Sequence, residues 1–287
     1  MVTPVTASGA LDEVAVRKIV ESFAQAGVSP LLMGTTGEGN SVSAEDGVKM
    51  VRAAVETAQH RITIYAGLTG TCYSEQLVAA DKYDRAGADV IVATLPSYYA
   101  LTDEQMYNYY ESLANAIKRP LMLYNIKATT HMSIPVDVVR RLSEHPNIVG
   151  LKDSERDLER MAACIEISKN NPRFSYFCGW AAQSAYSLSL GGDGIVPSTG
   201  NFVPAMFREL YDAALKGDTA TANRLQEETN AIAKIYQEGR TLGQSLTALK
   251  VMMQVDGLCD PYMLLPLTRL PKEEEEAIAA RAAQVKR

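Results

Sequence analysis

Short runs rich in apolar and β-branched residues recur along the chain. They are LLMG at Leu31, ITIYAGL at Ile62, DVIVATLP at Asp89, PLMLYN at Pro120, NIVGLKD at Asn147, FSYFCG at Phe174 and GIVPS at Gly194. Between them the apolar positions switch to helical spacing. In DEVAVRKIVESFAQAG, Val16, Ile19, Val20 and Phe23 share one face, and in PVDVVRRLSEH, Val136, Val139 and Leu142 do so. Several of these stretches stop at a glycine just before the next run, as at Gly27 and Gly87, which is a C-cap signal. Strand and helix alternating at intervals of about 30 residues predict βα units around a parallel sheet. The strands are continuously apolar rather than alternating, as expected when both faces of a sheet are covered.

Seven such strands are visible, and the opening MVTP is a candidate eighth, clipped short. Eight βα units predict an α/β fold of the (β/α)8 TIM-barrel type rather than a doubly wound sheet. The first βα turn carries no GxGxxG, which argues against a dinucleotide fold. After Asn201 the strand signal stops. PAMFRELYDAALKGD completes the barrel, and TATANRLQEETNAIAKIYQEG, SLTALKVMMQVDG and KEEEEAIAARAAQVKR read as further helices. The expected organisation is a barrel over residues 1–216 carrying the active site. Residues 217–287 form a C-terminal helical region, packed on the barrel or at subunit contacts.

Composition narrows the partners without naming one. The 287 residues carry a net charge of -6 and are 47% hydrophobic, the make-up of an ordinary globular protein. Positive charges are dispersed, so nucleic acid is not expected as a partner. No apolar run is long enough for a bilayer, and the start lacks a signal-peptide layout, so membrane association is not expected either. The four cysteines (Cys72, Cys164, Cys178 and Cys259) form no CxxC pair and suit reduced thiols in a cytoplasm. Three histidines without metal-ligand spacing give a metal site no support.

Candidate chemistry follows from the barrel expectation, because such folds place functional groups where strands end. Those positions are Gly34 to Glu38, Pro96 to Tyr99, Tyr124 and Asn125, Lys152 and Asp153, Cys178 and Gly179, and Ser198 to Asn201. A lysine at the tip of a buried strand can point into the barrel mouth, where desolvation disfavours the ammonium and favours a nucleophilic amine. A tyrosine at the tip of the preceding strand brings a phenol within proton-transfer reach. Taken singly, a strand-end lysine is more often a solvated or ion-paired residue, and a strand-end tyrosine is usually packing with its hydroxyl satisfied nearby. The pair together resembles a Schiff-base site. GTTGEGNS adds turn glycines and hydroxyls able to hold a carboxylate, with helix capping by its threonines as the alternative.

GTTGE at Gly34, PSYY at Pro96, YNI at Tyr124, GLKDS at Gly150 and GGDGIVPSTGN at Gly191 stand in the order of a known pattern. The chain resembles the N-acetylneuraminate lyase / dihydrodipicolinate synthase superfamily of class I aldolases, from VTP at Val2 to the C-terminal helices. The resemblance implies a (β/α)8 barrel, a homotetramer, and no metal or organic cofactor. It implies an imine between Lys152 and pyruvate or another 2-oxo acid, with Tyr124 relaying protons. Thr35 and Thr36 would bind the carboxylate and join the relay. Tyr98 would reach across a subunit contact, and Gly179 and Val196 would line the pocket through their backbones.

The chain also departs from the pattern. Dihydrodipicolinate synthases typically read YNVPxRT after the tyrosine, whereas YNIKATT has Thr129 at the arginine and Lys127 at the proline. Sialic acid lyases carry an Asp-Glu pair where this chain has Ala181 and Ala182. Ser198 is retained and can hydrogen-bond a substrate hydroxyl. Lys127 is a candidate to attract a second anionic group, with a solvated loop lysine as the alternative. His131, close behind Lys127, and Trp180, the only tryptophan, have no assigned role.

The expected function is a Schiff-base lyase or aldolase acting on a 2-oxo acid, reversibly cleaving a 2-keto-3-deoxy sugar acid or similar hydroxy-oxo acid. Three alternatives stand beside it: 4-hydroxy-tetrahydrodipicolinate synthase, a sugar-acid dehydratase using the same imine, and a non-catalytic 2-oxo acid sensor.

Overall fold

The helices begin and end where the local chemistry asks. In the computed structural model, which describes residues 1–285, α1 (Glu13–Ala26) starts on Asp12, whose carboxylate accepts from the Ala15 N–H at 3.0 Å. It stops at Gly27, where φ is 67°, a left-handed turn that glycine adopts without a Cβ clash. The later βα helices are α2 (Ala44–Ala58), α3 (Tyr73–Ala86), α4 (Asp103–Ala116), the single turn α5 (Lys127–Thr130) and α6 (Val136–Ser143). They continue with α7 (Leu158–Asn170), α8 (Ser184–Ser189) and α9 (Pro204–Leu215).

Seven strands alternate with these helices: β1 (Leu31–Leu32), β2 (Tyr65–Leu68), β3 (Val90–Thr94), β4 (Leu121–Asn125), β5 (Ile148–Asp153), β6 (Ser175–Cys178) and β7 (Gly194–Ile195). They lie in sequence order, and every neighbouring pair is parallel. Alternation along each strand divides two apolar layers. Ile91, Ala93, Leu121, Leu123 and Leu151 pack outward with the helices. Val92, Met122, Tyr124 and Ile126 form a separate inner cluster, closed by Leu31, Tyr65, Val90 and Phe177. Burying one such aliphatic side chain contributes roughly 1.5–3 kcal/mol, so the double coverage explains why these strands read as unbroken apolar runs.

The expected eighth strand is not present among the described residues. Residues 1–4 are buried but enter no ladder. The Val2 N–H donates to the side-chain Oδ1 of Asn201 at 2.8 Å, and Thr3 Oγ1 donates to the Gly37 carbonyl. A side-chain acceptor thus takes the Val2 N–H that strand pairing would have used, between edge strands β1 and β7 of only two residues each.

The remaining helices are α10 (Thr219–Gln237), α11 (Leu242–Val255) and α12 (Lys272–Ala282). α10 packs on α9, and α11 lies against both α10 and α12. Two polar ties connect them to the strand ends. The Tyr236 phenol of α10 meets Ser198 Oγ at 2.7 Å and Thr199 Oγ1 at 2.9 Å, and Lys250 of α11 meets Glu38. Among the described residues no helix is long and apolar enough to cross a membrane.

Candidate active site

Parallel pairing of β4 with β5 sets Leu123 opposite Leu151, Tyr124 opposite Lys152, and Asn125 opposite Asp153. Because side chains alternate, Tyr124 and Lys152 share the inner face while Asn125 and Asp153 share the outer one. Lys152 is 7% exposed and Tyr124 4%. The Lys152 Nζ sits 3.8 Å from the centroid of the Tyr124 ring. The Tyr124 hydroxyl lies 3.1 Å from Thr35 Oγ1, across from the loop after β1. Burial by itself would raise the phenol's pKa. The charge of Lys152 and hydrogen bonds with Thr35, Lys152 and Ser154 outweigh it and hold the phenol below its ordinary value.

The outer face holds these two strand tips in register. Asn125 Nδ2 donates to Asp153 Oδ1 and to Glu155 Oε2, both at 3.0 Å, and its Oδ1 accepts from the Ile134 N–H at 3.0 Å. Arg160, in the first turn of α7, donates through Nε to Asp153 Oδ2 at 2.7 Å and through Nη1 to the Ile134 carbonyl at 2.6 Å. Glu155 also accepts from Ser133 Oγ at 2.5 Å and from Lys127 Nζ at 3.3 Å. Burial pushes the Glu155 carboxyl up, but Ser133, Asn125, Lys127 and Arg160 together hold it below the usual range. A side chain on either outer position therefore fixes the height of its inner neighbour.

Two cavities, of about 300 and 340 Å³, reach the inner face, and the first runs on from it between β1 and β7 to the end of α1 and to α9. Leu31 and Val92 line both. The first includes Lys152, Met122, Phe177 and Val196. The second gathers hydroxyls and amides: Thr35, Asn40, Ser41, Thr69, Thr94, Ser97, Tyr124 and Thr129. Among the described residues lining the second, none is Lys, Arg or His, and its one carboxylate, Glu38, is paired with Lys250 at 2.5 Å.

The remaining sequence candidates fall into three groups. Thr36 is half-buried beside Thr35 and lines neither cavity, and helix capping falls to Ser43, whose Oγ accepts from the Asp46 N–H. Gly179 abuts the β5 tip: its N–H donates to the Asp153 carbonyl at 2.6 Å, and a Cβ there would collide with Ser154 Oγ. Val196 follows β7 beside Lys152, while Ser198 turns to Tyr236. Tyr98 is 78% exposed and stacks edge-on with Tyr99, with ring centroids 4.9 Å apart, so within one chain it does not join Lys152. Lys127 pairs with Glu155 and lines neither cavity. Trp180 packs against the outer core, and His131 is exposed at the left-handed end of α5.

Sequence reasoning did not assign Ser154, Glu155, Ser133, Arg160, Tyr236 or Lys250. Lys250 was the most discoverable, as a lone cation in the otherwise apolar ALKVMM of α11.

A parallel βα sheet that gathers an amine, a phenol and hydroxyls at its C-terminal edge is the construction of an enzyme, here a carbon–carbon lyase of the aldolase type. The chain belongs to the dihydrodipicolinate synthetase family, whose model matches residues 1–285. It is 31% identical over 285 residues to 4-hydroxy-tetrahydrodipicolinate synthase of Thioalkalivibrio sulfidiphilus, covering 98% of this chain and 95% of that one. Dihydrodipicolinate synthase from Bacteroides thetaiotaomicron has a similar structure, with TM-score 0.93 at 29% identity over 99% of this chain and 96% of that one. So does the chloride-inhibited enzyme from Acinetobacter baumannii complexed with pyruvate, with TM-score 0.89 at 28% identity over 100% and 97%.

Proposed function

We propose that the protein is an imine-forming lyase that cleaves, reversibly, a hydroxylated 2-oxo acid of the 2-keto-3-deoxy sugar acid type, releasing pyruvate and an aldehyde. The observation that carries this reading is the cluster of Lys152, Tyr124 and Thr35 on one inner face. The Lys152 amine adds to the C2 carbonyl. Tyr124, in contact with Thr35, delivers the proton with which the carbinolamine hydroxyl leaves as water, giving the imine. The Tyr124 phenolate left by that step takes the C4 hydroxyl proton, and the C3–C4 electron pair flows into the protonated imine, yielding an aldehyde and an enamine. Protonation at C3 and attack of water then free pyruvate and the amine. Hydrogen bonds from the Thr35–Thr36 turn to the carboxylate would hold C2 near Nζ, which supplies rate by positioning.

The second cavity favours an uncharged, hydroxylated tail, since hydroxyls and amides line it without a cation. A second carboxylate would be desolvated there without a counter-charge. The rival reading, 4-hydroxy-tetrahydrodipicolinate synthase, draws on the relatives' names and accounts less well for Thr129. Residues 1–4, buried between Leu31 and Asn201, are read as filling the place of the eighth strand, without ladder pairing, in a (β/α)8 barrel spanning residues 1–216, with residues 217–287 as its helical appendage. The exposed Tyr98–Tyr99 pair supports a homotetramer in which Tyr98 completes a neighbouring site. Four free thiols, three of them buried, suit a cytoplasmic enzyme.

The test is direct. With pyruvate and borohydride, mass spectrometry should find one adduct, on Lys152, and a pyruvate-release screen should find turnover among 2-keto-3-deoxy acids. Absence of the adduct would remove the imine mechanism. An adduct without turnover of any acid would favour a sensor.

A further inference from the structure

The loop that presents Thr35 is held from outside the sheet by a buried ion pair. Glu38 and Lys250 meet at 2.5 Å with both side chains wholly excluded from solvent. Each has a second partner. Glu38 Oε2 accepts from the Leu264 N–H at 2.8 Å, and Lys250 Nζ donates to the Tyr262 carbonyl at 2.7 Å. One carboxylate therefore joins the loop after β1, the middle of α11 and the segment leading to α12. Glu38 is also the pivot of its own turn. Its φ of 54° is left-handed, its N–H donates to the Thr35 carbonyl at 3.1 Å, and its carbonyl accepts from the Ser41 N–H at 2.7 Å.

Taking two charges out of water is costly, and well-packed apolar pairs of similar volume are often at least as stable. A fully buried pair is thus a poor choice for stability and a good one for directionality, because its hydrogen bonds fix both partners in angle as well as distance. Apolar contact alone would let α11 slide against the loop. Glu38 also lines the second cavity, to which α11 contributes Leu242, Gly243 and Leu246.

We propose that Lys250 and Glu38 are positioning residues for the lyase reaction: α11, through this pair, sets the turn that holds the Thr35 hydroxyl against Tyr124. The inference rests on the imine reading given above. The path is contiguous, from Lys250 to Glu38, through the turn to Thr35, and from Thr35 to the Tyr124 phenol beside Lys152. Neither Glu38 nor Lys250 touches the reacting atoms.

The test uses the full-length enzyme and the rate at which borohydride traps pyruvate on Lys152. Replacing both partners, Glu38→Met with Lys250→Met, avoids leaving an unpaired buried charge. Glu38→Gln with Lys250→Met, also neutral at both positions, is the second variant should the first not fold. Trapping by the folded variant should be about ten- to a hundred-fold slower, as for a small misplacement of a catalytic group. Thr35→Val alone should slow it comparably, and adding Thr35→Val to the variant should slow it little further. That non-additivity is the signature of action through Thr35, which general loosening would not produce. A wild-type rate in both variants, a Thr35→Val enzyme of undiminished rate, or multiplicative losses would overturn the proposal while leaving the imine intact. A wild-type enzyme that forms no adduct would instead remove the imine reading itself.

Discussion

Tyr124 and Lys152 are direct register partners across β4 and β5, and the lysine Nζ lies 3.8 Å from the centre of the tyrosine ring. An amine and a phenol brought together in this way share one electrostatic environment. The Lys152 charge and the phenol's hydrogen bonds outweigh burial and hold Tyr124 below its ordinary value.

Replacing Lys152 by Met should leave the fold intact, since the new side chain suits the apolar walls of Met122 and Phe177. Trapping of pyruvate by borohydride should vanish, as read by intact mass. A persisting adduct would mean that another amine forms the imine.

Tyr124 should be among the first tyrosines to ionise on alkaline titration. Its phenol is held below the ordinary value, whereas burial pushes Tyr83 up to about 12 and raises Tyr109, Tyr110 and Tyr176 as well. A lowered pKa means deprotonation at lower pH. The earliest limb of the phenolate absorbance should therefore be missing from Tyr124→Phe. The same variant should form the imine about a hundred-fold more slowly, the scale of a lost proton donor.

Arg160→Met would leave Asp153 buried without its cation. Breaking a buried pair from one side costs about 3–5 kcal/mol, so the denaturation midpoint should fall sharply. Urea unfolding followed by circular dichroism measures it, and a loss below about 1 kcal/mol would show that the pair is solvated in the native protein.

At Gly179 a methyl group would collide with Ser154 Oγ and lie 3.0 Å from the Asp153 carbonyl. Gly179→Ala should cost about 1–3 kcal/mol of stability and slow imine formation by displacing the β5 tip. Wild-type stability and rate together would show that the strand end yields freely.

Thr129→Arg would bring a cation to the second cavity. It should raise kcat/KM for a carboxylate-bearing aldehyde relative to an uncharged hydroxyaldehyde by about ten-fold or more, since charged hydrogen bonds are worth roughly 1.5–3 kcal/mol. Lys127→Ala should change neither, because that lysine is engaged with Glu155 at the surface. An unchanged preference in Thr129→Arg would indicate that substrate tails bind elsewhere.

Much of this was legible along the chain because local patterns encode it. Apolar runs at regular spacing marked all seven strands, helical periodicity and glycine caps marked the helices between, and strand-tip positions singled out Tyr124, Lys152 and Thr35. Those features depend on residues within one βα unit. The opening MVTP was less legible, because whether so short a stretch pairs as a strand depends on which acceptors surround it.

By itself, then, the sequence determined the repeating architecture, the family pattern and the two strand tips, since alternation and helical period follow from backbone geometry. Only the tertiary structure decided who partners whom across distance. It turned Lys127 toward Glu155, Ser198 toward Tyr236 and Lys250 toward Glu38, and kept Tyr98 away from Lys152 of its own chain. The physical reason is that a charge or hydroxyl takes the partner that folding brings within about 3 Å, and separation along the chain carries no information about that distance.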